Sequence, residues 1–386
     1  MKKILIVDDE VQILKALSRL FVGTDYEIFT AENSMDAMEL LGKTEVDMVI
    51  SDMRMPGLDG YKLLSIIKEK YPKIIRIILS GYSDEKPMFR ALLHNIAKLY
   101  VFKPWNNNDF LKNVNKLFAD DNEIKSQEFI SKFEGMCHTS YAPKNCEKMI
   151  TLIEEENIDS LIAEIEQDPD ISNLLMQVAK SAVYGVMPST VKQAAIYIGL
   201  HNLKCFMRWA CTVSTFKKND VISEEPDLLC KHAYLTNRIF LFLYEAFLHK
   251  QPAESAMFAG LMHNIGLVIL SNNLQKNGSH ELSNLTPNDY LKLELGEYEE
   301  PHQEVGAHLL DQWDLPFSVY EVALYHHRPL NHNIINQELV SCVHIAQAYA
   351  WKVLGALEPE PIASEVFENI GITAADFEKR LNRYLK

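Results

Sequence analysis

Four short stretches end an apolar run in a side chain suited to moving a phosphoryl group. Met48-Val-Ile-Ser-Asp52 ends in a carboxylate, and Met-Arg-Met-Pro-Gly-Leu-Asp-Gly60 follows it. Ile4-Leu-Ile-Val-Asp-Asp-Glu10 ends in the acidic pair Asp8-Asp9, Ile74-Ile-Arg-Ile-Ile-Leu-Ser80 in a hydroxyl, and Leu99-Tyr-Val-Phe-Lys-Pro104 in a cation followed by proline. Taken singly, each has a blander reading: Asp52 as a turn residue, or Asp9 and Glu10 as a helix cap with an acidic first turn. Taken together they supply a nucleophilic carboxylate, hard oxygen ligands for Mg²⁺, a hydroxyl donor and a positive charge. Phosphoryl transfer needs those parts, because its catalysis is mostly positioning and charge neutralisation.

These residues can meet only if the runs are parallel strands whose carboxyl ends share one edge of a sheet. The pattern predicts strands near 3–7, 26–30, 46–51, 74–79 and 98–102. Helices are predicted near 11–22, 34–42, 60–70, 84–95 and 108–118, the last capped by Asn107-Asn108-Asp109. Such alternation is the signature of a doubly wound α/β fold. Pro56-Gly57 and Asp59-Gly60 force a loop between Asp52 and the third helix. Residues 119–132 are polar without proline or glycine and read as a helical, stiff connection.

The first 119 residues resemble the receiver domain of two-component response regulators, in order and without departure. The resemblance implies that Asp52 is the phosphoacceptor and that Asp8, Asp9, Asp52 and the backbone carbonyl of Arg54 hold Mg²⁺. It implies that Lys103 pairs with the phosphoryl group, Ser80 donates its hydroxyl to it, and Tyr100 turns inward when Ser80 moves. It also implies a cis bond between Lys103 and Pro104, and a surface at 84–118 that phosphorylation rearranges, with a homodimer through the receiver as one outcome.

Composition bounds the rest. The chain has 386 residues, of which 47% are hydrophobic and 24% charged, enough for two or three domains with sizeable cores. A net charge of −15 is a poor match for a phosphate backbone, and no Lys/Arg run offsets it, so nucleic acid is not an expected partner. Asp8 ends the first apolar run too early for a secretory signal. No run is expected to approach the roughly 18 uncharged apolar residues of a membrane span, and Phe240-Leu-Phe-Leu-Tyr244 reads as a core helix. Cysteines 137, 146, 205, 211, 230 and 342 form no Cys-x-x-Cys pair and fit free thiols in a reducing cytoplasm.

Beyond residue 133 helical periodicity dominates, broken at Asp168-Pro169, Gly185-Val-Met-Pro188, Glu225-Pro226, Lys276-Asn-Gly278, Arg328-Pro329 and Glu358-Pro-Glu-Pro361. That pattern indicates an all-α domain. Thr373-Ala-Ala-Asp376 reads as a capping box for a final helix, with aspartate in place of glutamate. Five of the histidines in this half stand out: His232, His263 in Gly260-Leu-Met-His-Asn-Ile-Gly266, His302, and the adjacent His326 and His327. A lone histidine on an apolar helix is usually a core residue. Five in one bundle point to a shared site, imidazole being the commonest metal ligand.

His263-Asn-Ile-Gly266 stands where HD-superfamily phosphohydrolases carry His-Asp-x-Gly, and residues 135–386 resemble the HDOD domain, the HD-related output domain of bacterial signalling proteins. The resemblance rests on Val178-Ala-Lys-Ser-Ala-Val-Tyr-Gly185, Ala194-Ala-Ile-Tyr-Ile-Gly-Leu200, Ala259 to Gly266, and Glu304-Val-Gly-Ala-His-Leu-Leu-x-x-Trp-Asp-Leu-Pro316. Two departures bear on mechanism. Asn264 replaces the aspartate after His263, and Gln347, in His344-Ile-Ala-Gln347, replaces the late one. An amide is neutral and offers one good acceptor, so losing both carboxylates is expected to leave an imidazole cluster that holds at most one Zn²⁺-like ion, and weakly, rather than a hydrolytic centre. Nor does Gly-Tyr-Pro follow His326-His327, so the HD-GYP class that cleaves cyclic-di-GMP is a poor match.

The sequence thus predicts a receiver at 1–119, a helical linker at 120–134 and an HDOD domain at 135–386, with a helical sub-lobe at about 135–222 and a degenerate HD core at about 223–386. The expected function is that of a cytoplasmic, non-enzymatic response regulator. A sensor histidine kinase phosphorylates Asp52, and the HDOD domain answers by binding a downstream protein, with a cyclic-di-GMP enzyme as one candidate by analogy. Two alternatives stand beside it: a metal-dependent phosphodiesterase acting on cyclic-di-GMP or another nucleotide, and a regulator that binds a nucleotide without cleaving it.

Overall fold

Five apolar runs pair side by side as parallel strands: β1 (Lys2–Val7), β2 (Tyr26–Ala31), β3 (Met48–Asp52), β4 (Ile75–Ser80) and β5 (Leu99–Phe102), in the order β2-β1-β3-β4-β5. Each lies within two residues of its predicted position. β3 and β4 are buried along their whole length, which is why they read as continuous apolar runs rather than alternating ones. Ile4 pairs with Met48, Asp52 with Leu79, and Ser80 with Phe102. This register carries the ends of β1, β3, β4 and β5 to one edge of the sheet.

The computed structural model describes residues 1–81, 95–124, 144–155, 157–179, 188–217, 226–276, 286–292, 294–295, 302–357 and 359–385. The chain splits into two units, Met1–Glu123 and Ile124–Lys386. In the first, helices α1 (Val11–Leu20), α2 (Ser34–Leu41), α3 (Gly60–Lys70) and α4 (Asn107–Ile124) connect or follow the strands. Asn33 caps α2 by accepting from the Met35 and Asp36 amides, and Asp59 caps α3 by accepting from that of Lys62. The cap of α4 is Asn106, one residue before the predicted run: its Oδ1 accepts from the amides of Asn108 and Asp109. The predicted helix at 84–95 lies outside the described residues except for Asn95. The predicted linker begins inside α4, which continues to Ile124, and residues 125–134 lie outside the described residues.

Every regular element described in the second unit is helical. In chain order they are α5 (Lys144–Glu154), α6 (Ile158–Gln167), α7 (Pro169–Ala179), α8 (Val191–Ile198), α9 (Leu200–Lys217) and α10 (Pro226–Ala246). There follow α11 (Ala259–Met262), α12 (Ile265–Lys276), α13 (Pro287–Lys292), α14 (His302–Gln312), α15 (Phe317–Tyr325) and α16 (Gln337–Val353). Two more, α17 (Ser364–Glu368) and α18 (Ala374–Tyr384), end the chain. Thr373 caps α18 by accepting from the Asp376 amide, while Asp376 itself pairs with Arg380 one turn on.

A continuous set of buried side chains, from Cys146 through Trp209 and Leu261 to Trp351 and Ala356, fills this unit. Fully burying each such Leu, Ile or Val is worth roughly 1.5–3 kcal/mol, so the core dominates the stability. Phe240, Leu241, Leu243 and Tyr244 are buried in α10, as predicted. The window Glu254–Ser271 is more apolar than expected and meets a composition test for a membrane span. It is, however, broken into a 3₁₀ turn, α11 and α12, and 83% of it is buried within the unit. The five cysteines described, 146, 205, 211, 230 and 342, are free thiols.

Candidate functional sites

At the carboxyl edge of the sheet Asp8 and Asp52 are both buried, and Lys103 reaches between them. Lys103 Nζ lies 3.0 Å from Asp8 Oδ2 and forms a short ion pair with Asp52 Oδ1. The remaining oxygens are also held: the Glu10 amide donates to Asp8 Oδ1 at 2.8 Å, and the Arg54 amide donates to Asp52 Oδ2 at 2.6 Å. The Glu10 side chain makes no cap hydrogen bond, so the helix-cap reading of this pair does not hold for Glu10. Asp9 is exposed beside them. Ser80 is fully buried at the end of β4, and its carbonyl accepts from the Lys103 amide at 2.8 Å. The Ser80 hydroxyl donates to the Gly81 carbonyl at 3.3 Å. Tyr100 is half-buried, its hydroxyl accepting from the Ala97 amide at 3.2 Å, and the Lys103–Pro104 bond is cis.

Gly60 explains how Asp52 is held. A Cβ on Gly60 would lie 1.9 Å from the Asp52 carbonyl oxygen, so only glycine lets α3 begin directly beneath the acidic residue. Burial lifts the Asp52 and Asp8 carboxyls above their usual range, against the pull of Lys103, and the charge of Asp9 adds to the rise at Asp8. Burial would lower Lys103, but its two partners more than offset that and leave it raised. One ammonium thus serves two desolvated carboxylates, and the trio carries net negative charge. That oxygen-rich edge has the chemistry of a hard divalent cation site.

In the second unit the five predicted histidines do converge. Two glycines permit it. A Cβ on Gly260 would lie 2.7 Å from the Asn237 Cα, which sets α11 against α10 and its His232. One on Gly266 would lie 1.9 Å from the His302 carbonyl oxygen, which sets α12 against the start of α14. His232, His263, His302 and His326 are each no more than 3% exposed. The His232 ring stacks on Trp351 at 3.9 Å, the His263 and His326 rings are 5.1 Å apart, and His302 Nε2 lies 3.2 Å from His326 Nε2. Burial presses all four well below the ordinary histidine value, His232 and His263 to about 3.

The expectation of a cluster stripped of carboxylates needs correction. Glu294, which the sequence reading missed, is buried within it and accepts from Asn264 Nδ2 at 2.6 Å and from the Trp351 indole. Glu360, also missed, accepts from Gln347 Nε2 at 2.9 Å and lies 2.7 Å from His327 Nδ1. At both positions where an aspartate was expected, an amide turns its NH₂ toward a glutamate from elsewhere in the chain. His327 stands between them, its Nε2 3.5 Å from Glu294, a charge contact rather than a well-formed hydrogen bond. Burial would lower His327, but pairing with Glu294 and Glu360 carries it up to about 9. It is an imidazolium at neutral pH, whereas the other four are neutral. A solitary glutamate between leucines, as in Leu-Glu294-Leu, is the one sequence signal that pointed here.

Two family profiles match the chain. The response regulator receiver domain matches residues 4–115, and the HDOD domain matches residues 140–329. The hydrogenase transcriptional regulatory protein HoxA of Cupriavidus necator is 33% identical over 102 residues, 26% of this chain and 21% of that protein. The chain therefore spans only about a fifth of that relative's length. Among solved structures, the receiver domain of an HD domain-containing protein from Pseudomonas fluorescens is 32% identical, with a TM-score of 0.31, over 32% of this chain and 98% of that one. The response regulator TrrA of Thermotoga maritima, in complex with Mg²⁺ and BeF, is 34% identical with a TM-score of 0.28, over 30% of this chain and 99% of that one.

Proposed function

Given a chain that carries a response regulator receiver domain followed by an HDOD output domain, we propose that it is a cytoplasmic phosphorylation switch acting on a partner protein. A sensor histidine kinase supplies the phosphoryl group. The phosphohistidine N–P bond breaks as an Asp52 oxygen takes the phosphorus; Asp8, Asp9, Asp52 and the Arg54 carbonyl would hold Mg²⁺, which would supply positive charge for the transfer. Lys103 then pairs with the phosphoryl oxygens, and Ser80 and Tyr100 respond to it, biasing the surface at 84–118. The observation that supports this most directly is the pair of desolvated carboxylates sharing one lysine at the end of the strands. One lysine leaves those two carboxylates short of positive charge.

The HDOD domain answers without catalysis, by gripping or releasing a downstream protein; a cyclic-di-GMP enzyme is a candidate by analogy. A hydrolytic metal centre keeps a coordination position open to water and substrate. Four histidines no more than 3% exposed, with Asn264 and Gln347 tied to glutamates, leave little room for either. Beryllofluoride with Mg²⁺ is expected to change the oligomeric state or the domain contacts of the wild type, read by light scattering and small-angle scattering, and to leave Asp52→Asn unchanged. Identical behaviour of wild type with and without the mimic defeats the proposal.

A second reading draws on the buried Glu294 and the half-buried Glu360: an HD-type phosphodiesterase, or a non-cleaving nucleotide binder, acting on cyclic-di-GMP or another nucleotide. Turnover of cyclic-di-GMP by metal-loaded protein would favour the first. Calorimetric binding without turnover would favour the second.

A further inference from the structure

Two imidazole nitrogens in the histidine cluster are buried with lone pairs that no donor among the described residues meets. His263 Nδ1 lies 2.8 Å from the Gly260 carbonyl and His326 Nδ1 lies 2.9 Å from that of Ala323. A carbonyl only accepts, so both Nδ1 atoms carry the proton and both Nε2 atoms are bare. His232 Nε2 faces the Gln347 carbonyl at 3.1 Å, which leaves its Nδ1 bare. His263 Nε2 and His232 Nδ1 are buried with no hydrogen-bond partner among the described residues. Buried polar atoms without partners are uncommon, and several in one place point to a missing ligand.

The donor atoms also fall into two groups, each close enough to share an ion. Those of Glu294, His302, His326 and His327 all lie within 4.8 Å of one another, as do those of His232, His263 and Glu294. Glu294 is common to both groups. Carbonyls orient the His263 and His326 rings, and Asn264 and Trp351 fix the glutamate from behind. That is how supporting residues hold the ligands of a metal.

We propose that Glu294, His302 and His326, with His263 facing them, bind one divalent transition-metal ion of the Zn²⁺ class in a closed, structural site. Imidazole nitrogens with a single carboxylate suit Zn²⁺, Fe²⁺ or Ni²⁺ rather than Mg²⁺, which prefers all-oxygen surroundings. The negative oxygen comes from Glu294, not from the positions of Asn264 and Gln347. The ion ties the end of α11, the start of α14 and the end of α15 to the segment bearing Glu294, and Asp52 has no part in it.

The test uses untagged full-length protein expressed with zinc in the medium. Elemental analysis is expected to find about one equivalent per chain, equally in wild type and in Asp52→Asn. Chelated wild type should bind Co²⁺ with a visible ligand-field spectrum, and excess Zn²⁺ should raise its melting point by about 5–10 °C. Glu294→Gln should lose affinity by at least about 100-fold while keeping its helical circular dichroism. If Glu294→Gln does not fold, His302→Gln replaces it. Wild type that neither retains zinc nor binds Co²⁺ after chelation overturns the proposal, and so does a folded variant that keeps its metal. Neither result bears on the receiver, whose own test is the phosphate mimic.

Discussion

Replacing Gly60 by alanine sets two effects of opposite sign against each other. Helix propensity favours alanine by at most about 1 kcal/mol, and by less at the first residue of α3. The added Cβ, however, lies 1.9 Å from the Asp52 carbonyl oxygen and 2.9 Å from its carbon, with Ser51 Oγ at 3.0 Å. The serine can rotate, but the carbonyl would have to retreat by about 1.5 Å to reach ordinary contact. Asp52 is held in β3 opposite Leu79, the Met53 amide donates to the Leu79 carbonyl at 2.8 Å, and the Gly60 amide donates to that of Met53 at 3.0 Å. Overpacking of this kind costs about 1–3 kcal/mol, and more when only backbone can move. The net expectation is a loss of about 2 kcal/mol or more in urea unfolding, with weakened beryllofluoride binding because the acceptor itself is displaced. Gly42→Ala is the control. Its Cβ would meet carbonyl oxygens at 3.4 and 3.6 Å, so it should stay within about 0.5 kcal/mol of wild type. A Gly60→Ala protein as stable as wild type, binding the mimic normally, would refute the close approach.

Lys103→Met leaves Asp8 and Asp52 facing each other; melting without Mg²⁺ should drop by the equivalent of about 1–3 kcal/mol, and Mg²⁺ should recover more stability in the variant than in wild type. Trp351→Phe keeps an aromatic face for His232 but takes a donor from Glu294, and chemical denaturation should show a cost of about 1–3 kcal/mol. Glu378 is held below the ordinary value of 4.5 by a hydrogen bond from Lys352 and another from Tyr349. Because the folded value is the lower one, the stabilisation is present above 4.5 and fades as pH falls through that folded value; it is small because the pair is exposed. An NMR titration of the Glu378 carboxyl should shift upward in Lys352→Ala.

The receiver half was readable because its chemistry sits at strand ends. A buried parallel strand announces itself as an apolar run, and the first polar residue after it must face the common edge. Asp8, Ser80 and Lys103 follow from that rule, and Asp52 follows once Ser51 is counted inside its strand. Gly60 was legible as a loop former, but its closeness to the Asp52 carbonyl depends on how α3 returns to β3, which no local pattern encodes. The cap of α4 slipped by one because Asn106, Asn107, Asn108 and Asp109 are all competent caps. In the helical half the histidines were conspicuous by type. Their carboxylate partners were not, since Glu294 and Glu360 meet Asn264 and His327 across 30 and 33 residues with no period linking them. Glu360 was also disguised by Glu358-Pro-Glu-Pro361, which reads as turn punctuation.

The contact between Asn264 and Glu294 makes a His-Asp pair hard to install in this domain one edit at a time. Writing aspartate at 264 would seat two anions where a 2.6 Å hydrogen bond now stands. Clearing the glutamate first would strip the indole of Trp351 of its acceptor. Either intermediate is worse than its starting point, so an engineer seeking a working His-Asp pair would have to change both residues in one step.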